Sequence, residues 1–327
     1  MKLKALTNRY LVPVILILIL VLLIALPTFT RPYMIVLLKT ILMFTILTLS
    51  WALFSGTTGY TSLATAAFYG VGLYTAAKLG NILPVPLMVL CGGLFSFILA
   101  AIIGAITLRL KGIYFAIFTL STVELIKNVM HWYEINVAGV RGHRIIHVSD
   151  TTVFYYLLGI TVLLLLVTYL IKRSKYGLAL SSIGSCEEAA AHIGVNVITL
   201  KVFTFALSSF FVGLAGAIMA TSINYIDAYI AFDLNYSFFP TLMAIFGGMG
   251  NLFGPIVGAA AFSYLREILI TRFPYAYMFI FGLVMVLTIL YLPNGLVGLV
   301  QTIRQKLTKA YSQKEKTLGG KHANSSS

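Results

Sequence analysis

Only nine acidic residues occur in this 327-residue chain. The few ionisable groups within or between its apolar stretches are therefore where chemistry must be sought. "CEEAAAHIGVNVITLKVFTF", Cys186 to Phe205, gathers two acids, a histidine and a lysine between two strongly apolar runs. Glu124 and Lys127 stand three apart in another apolar run, which puts them on one helix face where they can pair. An ionisable group in hydrocarbon is costly unless paired, so such a pair serves either packing or a polar path. His131, Glu134, His143, His147 and Asp150 form a further polar group. The spacing of His143 and His147 suits metal ligands, but no other ligand motif accompanies them, and no metal site is expected. The sequence has no G-x-x-x-x-G-K-[ST] phosphate loop, no H-E-x-x-H and no paired C-x-x-C. An enzyme is not expected, nor a cofactor bound by this chain itself.

The elements that must position these groups follow from composition. The chain is 60% hydrophobic and 10% charged, with mean hydropathy +0.97, against about 25% charged residues in soluble domains. Several apolar runs reach the roughly 20 residues that cross a membrane as helix. "VPVILILILVLLIALP" does not alternate as a β-barrel strand would. The fold class expected is all-α, a polytopic helical membrane protein. Ten apolar segments are read, at about 10–29, 33–54, 60–78, 84–108, 112–130, 152–171, 202–222, 237–250, 254–272 and 275–292. The third and eighth are short and glycine-rich, so the count of crossings lies between eight and ten. The first run lacks a cleavage site and reads as a retained helix rather than a signal peptide.

A net charge of +14 does not indicate nucleic acid here, because Lys and Arg sit at the ends of apolar runs, where they set topology. With the N-terminus in the cytoplasm, fifteen of the 23 Lys and Arg residues fall on the inside. They are Lys2, Lys4, Arg9, Arg109, Lys111, Lys172, Arg173, Lys175, Lys201, Arg304, Lys306, Lys309, Lys314, Lys316 and Lys321. Both termini and the loop 172–201 are thus expected in the cytoplasm. Residues 1–303 read as the transmembrane domain and 304–327 as a disordered basic tail near anionic lipid. Cys91 in an apolar run and Cys186 in the polar segment are not expected to form a disulfide.

Two local patterns could carry function. In "EAAAHIG", Glu188, Ala189 and Ala190 are followed after three residues by Gly194. Alanine favours helix and lets another surface approach closely, and Gly194 can end the helix in the left-handed conformation. Ser185 is expected as its N-cap, with Glu188 completing a capping box. A plain connecting helix is the alternative. In the third segment, Gly56, Gly59, Gly70 and Gly72 flank Tyr60, Thr61, Ser62 and Thr65. Small residues permit close helix packing. The functional reading is a broken helix whose freed backbone groups meet a polar solute near the midplane. Gly59, Tyr60, Ser62, Thr65 and Glu124 are the pathway candidates.

The E-A-A-x-x-x-G spacing resembles the coupling helix of ABC importer permeases, although no later "LP" follows Gly194. From about residue 45 to 300 the chain resembles the permeases of branched-chain amino acid ABC transporters, in particular the longer of their two paralogous subunits. The resemblance rests on five stretches in order: "GYTSLATAAFYGVGLYTAA", "LRLKGIYFAIFTLSTVELIK", "GLALSSIGSCEEAAAHIGVNVITLKVFTFALSSFFVGLAGAIMA", "GGMGNLFGPIVGAA" and "YLPNGLVGL". It departs at 62–66, where the family often reads "SLGHA" and this chain "SLATA". The resemblance implies ATP-driven import of leucine, isoleucine or valine across the cytoplasmic membrane of a prokaryote. It implies ATPase subunits docked at Glu188, Ala189, Ala190 and Gly194, which bind the ATP. It also implies a paralogous permease and an extracytoplasmic solute-binding protein. Import of urea or short amides, and ion-coupled secondary transport, are the alternatives; a membrane scaffold is a third.

Overall fold

Long runs of Leu, Ile and Phe in a lipid environment must satisfy their backbone polar groups internally, and helices do so. The computed structural model describes residues 21–283 except 29, 140, 141, 250, 251 and 278, together with 286, 295 and 298. The first apolar run up to residue 20, half of the tenth, most of the last motif of the resemblance and the basic tail lie outside the described residues. Residues 21–28 are helical.

Among the described residues, five helices are long and apolar enough to cross a membrane: α1 (Pro32–Thr58), α3 (Val85–Thr107), α4 (Ile113–Asn136), α5 (Asp150–Arg173) and α8 (Val197–Ala220). Between and after them come α2 (Thr65–Leu79), α6 (Lys175–Ser185), α7 (Glu187–His192), α9 (Ala228–Ala231), α10 (Asn235–Gly247) and α11 (Gly254–Arg272). The short third and eighth segments emerge as α2, with 15 residues, and α10, with 13. At 1.5 Å per residue neither spans about 30 Å of hydrocarbon alone.

The all-α expectation holds with one small exception. β1 (His143–Arg144) pairs antiparallel with β2 (Tyr225–Ile226), tying two loops together at one end of the bundle. Side-chain contacts show that helix direction alternates. Lys39 near the start of α1 meets Asp150 at the start of α5. Tyr74 and Glu134, late in α2 and α4, meet close to β1. The opposite end holds Tyr60, Leu108, Glu187 and Lys201.

Backbone contact sets the centre. Helices α2, α3 and α8 cross where glycines remove side chains. A Cβ on Gly72 would lie 2.3 Å from the Gly213 carbonyl, and one on Gly216 would lie 2.3 Å from that of Tyr69. Such packing by van der Waals approach is how membrane helices associate when apolar burial gives no driving force. Several buried hydroxyls are satisfied within their own helices: Thr58, Thr161, Thr168 and Thr204 each donate to a carbonyl four residues back.

Candidate functional site

The chain between α1 and α2 leaves helical geometry, with Tyr60, Ser62 and Ala64 buried and Gly59 and Thr61 exposed. Gly59 adopts φ +77°, a conformation glycine takes without strain, and its N–H donates to the Ser55 carbonyl. The next residues turn back along α1. Ser62 lies level with Trp51, whose Nε1 donates to the Ser62 carbonyl at 2.7 Å. Trp51 is seven residues before the end of α1, about 10 Å along its axis, so this non-helical stretch runs into the membrane before α2 begins at Thr65.

Its backbone donors find side-chain partners. The N–H of Ser62 donates to Ser55 Oγ at 3.3 Å, that of Leu63 to Thr119 Oγ1 at 3.0 Å and that of Ala66 to Ser237 Oγ at 2.9 Å. Irregular backbone at this depth persists only where protein replaces water in this way.

Around it lies a small cavity, lined by Ser55, Ser62, Thr65, Ser208, Ser209 and aromatic rings including Trp51 and Phe205. Its volume of about 10 Å³ is the room of roughly one water molecule, too little for any amino acid. Ser62 and Thr65 line it, and Tyr60 turns the other way. Glu124 stands apart on α4, where Lys127 Nζ reaches it at 2.6 Å. That helix is the least buried of the five long ones, 22% of its apolar stretch. The polar candidates thus form two groups rather than one.

The segment singled out at Cys186–Gly194 forms its own short helix, α7. Ala190 is buried against Ile183 and Val197, while Glu188, Ala189, Ala191 and His192 face outward. Gly194 has φ +90°, and a Cβ there would meet nothing within 4 Å. Its need for glycine is one of backbone conformation, not of space. Lys111 Nζ lies 3.5 Å from Glu188, with both side chains largely exposed, a pair worth about 1 kcal/mol or less.

The expected capping box does not form. Ser185 is the last residue of α6 and donates back to the Ser181 carbonyl. Cys186, extended at φ −157°, precedes α7 without a side-chain cap. Helix α6 runs through Ser185 and so uses up the serine.

Two residues that sequence reasoning passed over join these parts. Lys201, 1% exposed, begins the second turn of α8, and in sequence it has only the look of a topology signal. Its ammonium donates to Glu187 Oε1 at 2.9 Å, to the Tyr60 hydroxyl at 3.2 Å and to the Leu108 carbonyl at 3.2 Å. The Tyr60 hydroxyl in turn donates to Glu187 Oε2. Burial raises the Glu187 pKa, but hydrogen bonds from Tyr60 and Lys201 and the charges of Lys201 and Lys111 outweigh it, holding the carboxyl below its ordinary 4.5. Only the lysine amid apolar neighbours in "LKVFTF" hinted at this partner.

The polar group read as a weak metal candidate is otherwise engaged. Glu134 accepts from Tyr74, and Asp150 pairs with Lys39. Among the described residues no three His, Cys, Asp or Glu are placed to hold a metal. Cys91 and Cys186 are free.

Comparison with known proteins gives consistent matches. Residues 33–289 match the model of the branched-chain amino acid transport system permease component family. The chain is 25% identical over 280 residues to the high-affinity branched-chain amino acid transport system permease protein LivM of Salmonella typhimurium, covering 75% of this chain and 65% of that protein. It is 25% identical over 286 residues to LivM of Escherichia coli, with the same coverage. The probable branched-chain amino acid transport permease LivM of Methanocaldococcus jannaschii is 24% identical over 235 residues, 64% of this chain and 67% of the relative. The chain thus spans about two thirds of the length of these relatives. No solved structure matches it.

Proposed function

The chain belongs to the family of branched-chain amino acid transport system permease components, and on that premise we propose that it is one membrane subunit of an ATP-driven importer. The solute is a small polar molecule, with leucine, isoleucine and valine first and urea or short amides second. The membrane is the cytoplasmic membrane of a prokaryote, with both termini and α7 inside. An external binding protein delivers the solute, and a paralogous permease completes the path. ATPase subunits bind ATP and dock on α7.

The observation that carries this reading is the outward face of α7. An alanine-rich helix, fixed from beneath by Ala190 and ended by a left-handed glycine, presents Glu188, Ala189 and His192 to whatever covers it. A plain connector between α6 and α8 needs no such face. The solute path runs along the polar stretch Gly59–Thr65 and along α4. On α4, Glu124, Asn128 and His131 lie at helical spacing on one face, Asn128 exposed and the other two half-buried. A polar stripe of that kind faces a partner subunit or water rather than lipid. The cavity at Thr65 is closed to a solute, as expected of a path between two open states.

The test is transport in proteoliposomes holding this chain, the paralogous permease, the ATPase subunits and the binding protein. Labelled leucine should accumulate only with ATP inside the compartment that α7 faces. Uptake driven by an ion gradient without ATP would establish a secondary transporter, and no flux of leucine, urea or acetamide would leave a scaffold.

A further inference from the structure

We propose that Lys201 is the positioning residue that transmits motion of α7 to the membrane path, through Glu187 and Tyr60. The inference rests on the importer reading above and goes beyond it by naming the residues that carry the coupling.

Four elements meet at one ammonium group: the first residue of α7 (Glu187), the non-helical stretch after α1 (Tyr60), the residue that ends α3 (Leu108) and α8 itself. The lysine is almost wholly buried, and its three acceptors match the three donors of an ammonium. A buried charge that loses one partner keeps its desolvation cost, so the cluster resists coming apart. Hydrogen bonds to ionised groups are the stronger kind, and here they replace apolar packing as the link. Glu187 ties α7 to the next helix through Lys201, and unlike Ala190 it does not stop at the neighbours in sequence. It reaches across 127 residues of chain to Tyr60.

A second contact runs parallel to this link. Gly184 at the end of α6 lies so near α1 that a Cβ would sit 2.4 Å from the Thr57 carbonyl. Displacing α6 and α7 therefore pushes on the end of α1 while Glu187 pulls on Tyr60. Both act on the stretch 57–60. That stretch leads into the backbone held by Trp51 and Ser55, which borders the cavity at Ser62 and Thr65.

The sequence could not show this. Tyr60 looked like a pathway residue because it adjoins Ser62 and Thr65. Its hydroxyl points to the docking helix instead. The Tyr60 ring packs edge-on against Phe115, with centroids 5.5 Å apart, so Tyr60→Phe removes the hydroxyl and keeps the packing.

The experiment measures ATP hydrolysis and leucine uptake together in the reconstituted complex for wild type, Tyr60→Phe, Glu187→Gln, Lys201→Met and Lys201→Arg. Expected is ATPase activity that survives in all variants that assemble, with ATP used per leucine rising about tenfold in Tyr60→Phe, the worth of one charge-assisted hydrogen bond. Lys201→Arg should recover part of the coupling, and Tyr60→Phe with Glu187→Gln should do no more harm than either alone.

A second readout does not depend on the solute. With Trp132→Phe and tryptophan-free partners, Trp51 reports on the Ser62 carbonyl. Its emission should shift when ATP and vanadate close the ATPase subunits, and Tyr60→Phe should abolish the shift. If Lys201→Met does not assemble, Tyr60→Phe decides. A wild type with no ATP-dependent uptake and no Trp51 shift would defeat the importer reading itself. A wild type that couples, with a Tyr60→Phe variant that couples equally well, would overturn the relay alone.

Discussion

Thr65 is 5% exposed and lines a cavity with room for about one water. A leucine there must displace its neighbours, at a cost of roughly 1–3 kcal/mol for overpacking. Thr65→Leu should therefore leave the protein in the membrane and cut leucine uptake by tenfold or more, read from initial rates at equal subunit levels. Normal uptake would place the path elsewhere.

Glu187 yields a second residue-scale expectation. Its pKa in the fold is depressed below 4.5, so its contribution to stability is present above that value and is lost as pH falls through the lower, folded value. The groups facing it are Lys201, Tyr60 and Lys111. The thermal midpoint of wild type minus that of Glu187→Gln should be constant from pH 7.5 to 5 and shrink below 4.5. A difference that shrinks already between pH 7 and 5 would mean that the carboxylate is not held by these donors. Of this cluster, the sequence made Tyr60 visible for its neighbours, while Glu187 stood in the shadow of Glu188. Lys201 looked like one more inside charge. What pairs them is a fold that closes 141 residues of chain between Tyr60 and Lys201, and spacing in sequence carries no trace of it.

The elements were far more legible than their contacts. Spans expected at 33–54, 84–108, 112–130, 152–171 and 202–222 appear as helices Pro32–Thr58, Val85–Thr107, Ile113–Asn136, Asp150–Arg173 and Val197–Ala220, because hydrocarbon-length apolar runs leave little choice. The break at Gly59 and the left-handed Gly194 were signalled by glycine itself. The start of α7 was not, since serine at 185 served equally well as a cap or as the last residue of α6. Gly194→Val tests this scale. A Cβ there meets nothing within 4 Å, so the effect comes from backbone strain at φ +90°, about 1 kcal/mol or more. Insertion should be normal and stimulation of the ATPase by loaded binding protein should fall several-fold. Gly72→Val should behave differently: its Cβ meets a carbonyl at 2.3 Å, so loss of the folded subunit, seen as aggregation in detergent chromatography, is expected. Wild-type behaviour of Gly194→Val would reduce α7 to a passive connector.

At the scale of the whole molecule, the bundle separates two ends. One carries Cys186, Glu187 and Gly194. The other carries the β1–β2 pair, with His147 nearby and exposed. The account requires the first end to be cytoplasmic and covered by the ATPase subunits. Cys186 is exposed and lies at the start of α7, so the native chain supplies its own probe once Cys91 is replaced by serine. The decisive measurement is labelling of Cys186 by a membrane-impermeant maleimide. In inside-out vesicles lacking the ATPase subunits the label should attach readily, adding the subunits should block it, and right-side-out vesicles should give none. Labelling from the outside, or labelling from the inside that the ATPase subunits leave unchanged, would contradict the account at its centre.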